Sequence, residues 1–113
     1  IAEEAGFEVE FQNTAWDGIF AGLGAGEYDA VISSVTITEE RQETMDFSEP
    51  YLNAGQVLVV RKDTEGVTTL DDLEGEPVGA QIGTTGAIAI QDHGGPVLQT
   101  YDEIGLAIAD LAN

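Results

Sequence analysis

Arg41 is one of only three basic side chains in a chain of 113 residues, and its expected place is the first turn of a helix opened by Thr38. A cation is disfavoured there by the helix dipole, so the placement asks for a reason. A guanidinium is a planar fork that grips a carboxylate through two parallel hydrogen bonds, which lysine cannot reproduce. The alternative is a surface pair with Glu39, Glu40 or Glu43, and from the residue alone it weighs at least as much as the first, since such pairs are common and weak. Just upstream, Ser33-Ser34-Val35-Thr36 brings hydroxyls and backbone groups to the C-terminal end of an expected strand, where open α/β sheets bind ligands. Thr36 or Thr38 can instead serve only as a helix cap. Gly83-Thr84-Thr85-Gly86, between a strand and a helix, offers free N–H groups to an anion. The lysine that would make it a P-loop is absent, and most such turns are only turns. Trp16 is either a core anchor or an exposed stacking surface, with the core favoured for a lone tryptophan. His93, the single histidine, precedes Gly94-Gly95-Pro96 and reads as a loop or helix-end residue rather than a metal ligand or acid-base group.

The elements that must position these groups follow from periodicity. Ile1 to Gly6 reads as a last helical turn stopped by glycine, so the chain is expected to begin inside an element. Phe7 to Phe11 alternates apolar and acidic, the period of a half-buried strand. Thr14 with Asp17 is expected to cap a helix whose buried stripe is Ile19, Phe20 and Leu23, ended by Gly24 and Gly26. Tyr28 to Val35 reads as a strand covered on both faces, and the helix from Thr38 is expected to run to about Met45. Pro50 keeps Phe47 to Tyr51 irregular, and Gln56 to Arg61 reads as a strand. The pattern then restarts. Thr69 to Leu73 is a short capped helix, Val78 to Ile82 a strand, Ala87 to Asp92 a helix and Leu98 to Tyr101 a strand. The tail from Glu103 is a helix with Ile104, Ala107, Ile108 and Leu111 on one face. Alternating strands and helices predict an α/β architecture with parallel sheets, and the restart after residues 51–55 predicts two lobes.

Composition closes off several functions. Hydrophobic residues make up 42% of the chain, enough for a core of ordinary size rather than disorder. Twenty-two acidic residues against three basic ones give a net charge of −19, a field that repels nucleic-acid phosphates and anionic lipid. The acidic residues are scattered rather than gathered around a glycine turn, so a surface adapted to multimolar salt is favoured over calcium loops. The absence of cysteine excludes disulfides, thiolate metal sites and cysteine nucleophiles. No apolar run is long enough to cross a bilayer, and any targeting segment is expected to lie outside these residues.

Order and spacing then carry a resemblance. Trp16-Asp17-Gly18-Ile19, Tyr28-Asp29-Ala30-Val31, Thr36-Ile37-Thr38-Glu39-Glu40-Arg41 and Asp46-Phe47-Ser48-Glu49-Pro50-Tyr51 follow one another. Asp71-Asp72-Leu73-Glu74-Gly75 and Gln81-Ile82-Gly83-Thr84-Thr85 continue the series. Across essentially its whole length the chain resembles the family-3 periplasmic solute-binding proteins, the amino-acid-binding components of ABC transporters. The resemblance implies a type II periplasmic-binding-protein fold, with residues 1–53 in a first lobe, 54–113 in a second, a hinge near 51–55 and both lobes incomplete. It makes Arg41 the clamp on a ligand α-carboxylate, with Ser34 and Thr36 holding the α-amino group and carboxylate. Trp16 would pack on the ligand side chain, Thr85 would reach the carboxylate from the second lobe, and Gln81 would line the side-chain pocket. The implied partners are a free amino acid, expected to be polar, and an ABC transporter permease. No cofactor or metal is implied, and the implied location is extracytoplasmic, with a lipid anchor as one form.

Two family features have no counterpart among these residues: an earlier ligand-packing aromatic and a later acidic residue that pairs with the ligand ammonium. A chain of this extent is therefore expected to leave sheet edges and apolar faces open to dimerisation or element swapping. Two rivals share the motif, a cyclohexadienyl dehydratase and the ligand-sensing domain of a receptor. The first needs a cleft acid, and none occupies a recognised cleft position.

Overall fold

The computed structural model describes residues 1–113. Its regular core is a βαβ unit in the second half of the chain. Strands β1 (Pro77–Gln81) and β2 (Val97–Tyr101) pair in parallel, with Pro77 opposite Val97 and Gln81 opposite Tyr101. Parallel neighbours need a crossover, here a helix that spans Thr85–His93. In chain order the helices are α1 (Ala2–Ala5), α2 (Ile19–Ala25), α3 (Glu39–Gln42), α4 (Thr85–His93) and α5 (Ile104–Ala112), with a 3₁₀ turn at Leu70–Leu73 before β1. The α/β class expected from the alternating pattern is the class observed.

Val78 and Ala80 of β1 pack on Ala87 and Ile90 of α4, with Leu58, Leu70, Leu73 and Leu98 around them. Gly79 leaves room for the Tyr101 ring of β2: a Cβ there would lie 3.0 Å from it, tighter than ordinary contact. The core is small. Seven of 113 residues are buried, so the expectation of a core of ordinary size fails. Three segments read as strands, 7–11, 28–35 and 56–61, join no ladder, and β1–β2 is the single pairing. A strand is held by hydrogen bonds to a neighbour, and alternation within one segment encodes a face without supplying that neighbour. The expected half-buried strand shows the result, with Phe7, Val9 and Phe11 exposed by 54%, 49% and 87%. The α5 stripe behaves likewise: Ala107 is buried while Ile104, Ile108 and Leu111 face outward.

Several helix bounds also move, for local reasons. α2 begins at Ile19 rather than near Thr14, because Gly18 takes a left-handed conformation (φ 82°) that no helical turn passes through. Residues 16–18 form a turn, closed by the Ile19 N–H on the Trp16 carbonyl. α3 stops at Gln42 rather than Met45, so it is a single turn and Arg41 stands in its last turn as much as its first. The dipole argument against Arg41 therefore lapses. α4 begins at Thr85, two residues early, because the Thr84 hydroxyl caps it by accepting from the Ala87 N–H. His93 ends α4 and its Nε2 pairs with Asp71 at 3.1 Å, beside a left-handed Gly94 that stops the helix.

The 3₁₀ turn before β1 is capped as expected. Asp72 accepts from the Thr68 N–H (2.8 Å), the Thr68 hydroxyl (2.9 Å) and the Thr69 N–H (3.0 Å). These bonds to the charged form, led by the Thr68 backbone, hold the Asp72 carboxyl below the usual aspartate range. A depressed folded-state pKa gives stability that is complete above the unfolded value and lost as pH falls through the folded one. Asp72→Asn is therefore expected to melt lower than the parent near neutral pH, with the two converging as pH falls below the usual aspartate value of about 4. Thermal melts across that range check it; a constant difference rules the carboxylate out as the cause.

Candidate functional site

Arg41 lies on one wall of a cavity of about 300 Å³. Its Nη1 donates to the Thr36 carbonyl at 2.9 Å and its Nη2 to the Gly83 carbonyl at 3.2 Å. The first bond folds the side chain back along its own segment, and the second carries it across the cavity to the β1–α4 loop. Two aromatic rings lie together on one side of the cation, with the guanidinium carbon 5.0 Å from the Phe20 ring centroid and 5.9 Å from that of Trp16. No carboxylate is within ion-pair distance of it, so the local pair with Glu39, Glu40 or Glu43 is not formed. Burial pulls the Arg41 pKa below its usual value and the charge of Glu40 partly offsets this. A guanidinium stays protonated under either influence. Of its five N–H groups two are bonded, which leaves three for a ligand.

Ser34 and Thr36 reach the cavity through a bend in the chain rather than from a strand end. Ser34 is the one non-glycine residue with positive φ (50°), a sparsely populated conformation that persists where surroundings fix it. What fixes it is Tyr51, whose hydroxyl accepts the Ser34 N–H at 2.6 Å. Thr38 caps α3 by accepting the Arg41 N–H, so the capping role falls to Thr38 and Thr36 is free to face the cavity. Trp16 stands in the turn before α2, half-buried, edge-to-face with Phe20 at 5.4 Å. It lines the cavity and is not a core residue, contrary to the expectation from residue type alone.

The opposite wall is the loop from Gln81 to Thr85. Gly83 is left-handed (φ 68°), and the Trp16 indole sits 3.6 Å from where a Cβ would be. Thr85 is the first residue of α4, where backbone N–H groups have no intrahelical partner. Its hydroxyl lies 3.3 Å from that of Thr36, spanning the cavity. Gln81 lines the cavity while its Nε2 donates to the Asp102 carbonyl at 2.9 Å. Trp16, Ser34, Thr36, Arg41, Gln81 and Thr85 are thus gathered around one space. Three contributors escaped the sequence reading. By sequence Phe20 belongs to the buried stripe of its helix, Tyr51 to the hinge, and Gln56, which donates to Thr85 Oγ1 at 2.8 Å, to a strand. No local signal marks any of them, since each acts through a distant partner.

A second cavity of about 510 Å³ lies beneath residues 29–37 and 45–54. It is mostly apolar and none of its lining side chains is basic, so it does not compete with the first.

Residues 1–107 match the bacterial extracellular solute-binding proteins, family 3. This chain belongs to that family. A probable histidine-binding protein of Neisseria gonorrhoeae is 35% identical over 100% of this chain and 43% of its own length. The L-cystine-binding protein TcyJ of Escherichia coli is 38% identical over 98% of this chain and 42% of its own. The chain therefore spans less than half the length of these curated family-3 relatives. Holo ArgBP from T. maritima superposes with a TM-score of 0.91 at 39% identity, covering 98% of this chain and 50% of that one. AncCDT-1, an ancestral amino acid-binding protein and precursor of cyclohexadienyl dehydratase, gives 0.93 at 36% identity, covering 98% and 51%. The α/β fold, with its small parallel sheet and flanking helices, is that of these family-3 structures.

Proposed function

We propose that this chain builds much of the binding cleft of an extracytoplasmic receptor for a free amino acid, which passes its ligand to an ABC transporter permease. The observation that carries the reading is the Arg41 guanidinium, unpaired with any carboxylate, backed on one side by two aromatic rings and left with three free donors at a cavity of about 300 Å³. That volume is at the small end for ligand sites and suits a single small molecule. An α-carboxylate is the natural partner of such a fork. Ser34, Thr36 and Thr85 supply hydroxyls around it, Trp16 an apolar face, and Gln81 an amide. A polar amino acid fits that lining best.

Residues 1–53 form part of one lobe in this reading and residues 54–113 part of the other, with the hinge near 51–55. Arg41 to Gly83 and Thr36 to Thr85 then join the lobes across the cleft. A ligand that touches both walls favours the closed state by its differential contacts.

Calorimetric titration of the full-length protein with a panel of free amino acids, in concentrated salt, tests this. One or a few polar amino acids are expected to bind, and their amide derivatives, which lack the carboxylate, are expected not to. Equal binding of the amides would remove Arg41 from the account. The likeness to AncCDT-1 keeps a dehydratase as the second reading. Elimination needs a positioned acid, and the residues lining the cavity include no carboxylate or histidine. Turnover of arogenate or prephenate by the same preparation would reverse the order of the two readings.

A further inference from the structure

We infer that Gln56 is a positioning residue for the binding site: it fixes the Thr85 hydroxyl as a hydrogen-bond donor aimed into the cleft. The inference rests on the receptor reading for its consequence, though not for its geometry. Gln56 Nε2 donates to Thr85 Oγ1 at 2.8 Å. A hydroxyl has one proton and two lone pairs, so an N–H on one lone pair leaves the Thr85 proton to be donated elsewhere. Across the cavity Thr36 Oγ1 lies 3.3 Å away, and both threonines and Gln56 line the same space. An α-carboxylate entering between the two walls replaces Thr36 as the acceptor.

Residue 86 is part of the device. The Gln56 amide lies along the first turn of α4, and a Cβ at Gly86 would stand 3.2 Å from Gln56 Oε1, tighter than ordinary contact. Glycine leaves the amide room to reach Thr85. Gln56 also follows directly on the crossing at residues 51–55, so its amide ties the segment leaving that crossing to the wall that carries Thr85. Gln56 is itself solvent-exposed, so its replacement leaves the core intact.

The test uses the full-length protein and its tightest-binding amino acid. Gln56→Glu puts an acceptor where the donor was, drawing the Thr85 proton away from the ligand and placing a negative charge beside its carboxylate. Affinity near neutral pH is expected to fall by roughly ten-fold or more, since like charges in an interface are costly. It is expected to recover on acidification, as the introduced carboxyl gains a proton and becomes a donor again. Gln56→Met, which can do neither, is expected to lose roughly five-fold, the worth of one neutral hydrogen bond, with no such pH dependence. In a Thr85→Val background, Gln56→Met is expected to add nothing. Unchanged affinity in Gln56→Glu at neutral pH, or additive losses in the double variant, would overturn the inference. If the wild type binds no amino acid, the receptor reading fails instead. The same double-variant cycle read on melting temperature then decides the Gln56–Thr85 bond, with additivity counting against it.

Discussion

Arg41→Ala is expected to weaken binding of the proposed amino-acid ligand by about 100-fold or more, measured by calorimetry on the full-length protein. Removing one partner of a hydrogen-bonded charge pair in a binding site costs roughly 2–5 kcal/mol, and about 2.7 kcal/mol corresponds to that factor. The surroundings of Arg41 favour the upper part of the range. Its two carbonyl bonds, to Thr36 and Gly83, hold the fork in place before a ligand arrives, and Phe20 and Trp16 shield one side of it. A pre-positioned cation loses little freedom on binding, so its removal takes away nearly the whole interaction.

Arg41→Lys separates charge from shape. A single ammonium cannot bond Thr36 and Gly83 together and still present a planar pair of donors, so it is expected to recover little of the loss. Arg61→Ala serves as the control, since Arg61 is held by Asp63 at 2.9 Å in an exposed pair away from the cavity. It is expected to bind as the parent does. Near-parental affinity in Arg41→Ala would show that the carboxylate is held elsewhere.

The second large effect is on stability. The melting temperature is expected to rise with sodium or potassium chloride well into the molar range, by on the order of 10 °C, equivalent to a few kcal/mol for a domain of this size. All twenty-two acidic residues are exposed. Only two carboxylates are paired, Asp63 with Arg61 and Asp71 with His93. Like charges at this density repel one another over the screening length, which shrinks from about 10 Å at 0.1 M salt to about 3 Å at 1 M. Nowhere do three acidic or histidine side chains converge as a metal site would require. The effect should therefore follow ionic strength and not cation identity. A melting temperature that is flat or falling in salt, or one that responds to millimolar calcium alone, would point to a different reason for the acidity.

The residues readable in the sequence are those whose environment is local. Thr38 caps α3, Thr69 and Asp72 cap the 3₁₀ turn and Gly6 and Gly26 end their helices, because each answers to neighbours within a few positions. β1 and β2 were legible to within a residue, since the helix that joins them lies between them in sequence. Residues 7–11, 28–35 and 56–61 were read as strands because alternation and β-branching describe a segment alone, whereas a ladder is a property of two. Gly18 shows the converse. One left-handed residue overrode the helical spacing from Thr14 and turned Trp16 out of the helix and into the cavity. Family spacing located Arg41, Ser34, Thr36, Gln81 and Thr85 around one space. It gave no hint of Phe20 or Gln56, nor of the bond by which Tyr51 holds Ser34, and the two hydrogen-bonded partners lie 17 and 29 positions away.

The single indole of this chain stands against Gly83 and beneath the Arg41 guanidinium. Its emission is sensitive to just such neighbours, a nearby positive charge and the amount of solvent around the ring. The chain thus carries its own optical probe at the point where its two walls meet, and occupancy can be followed in dilute solution without attaching a dye.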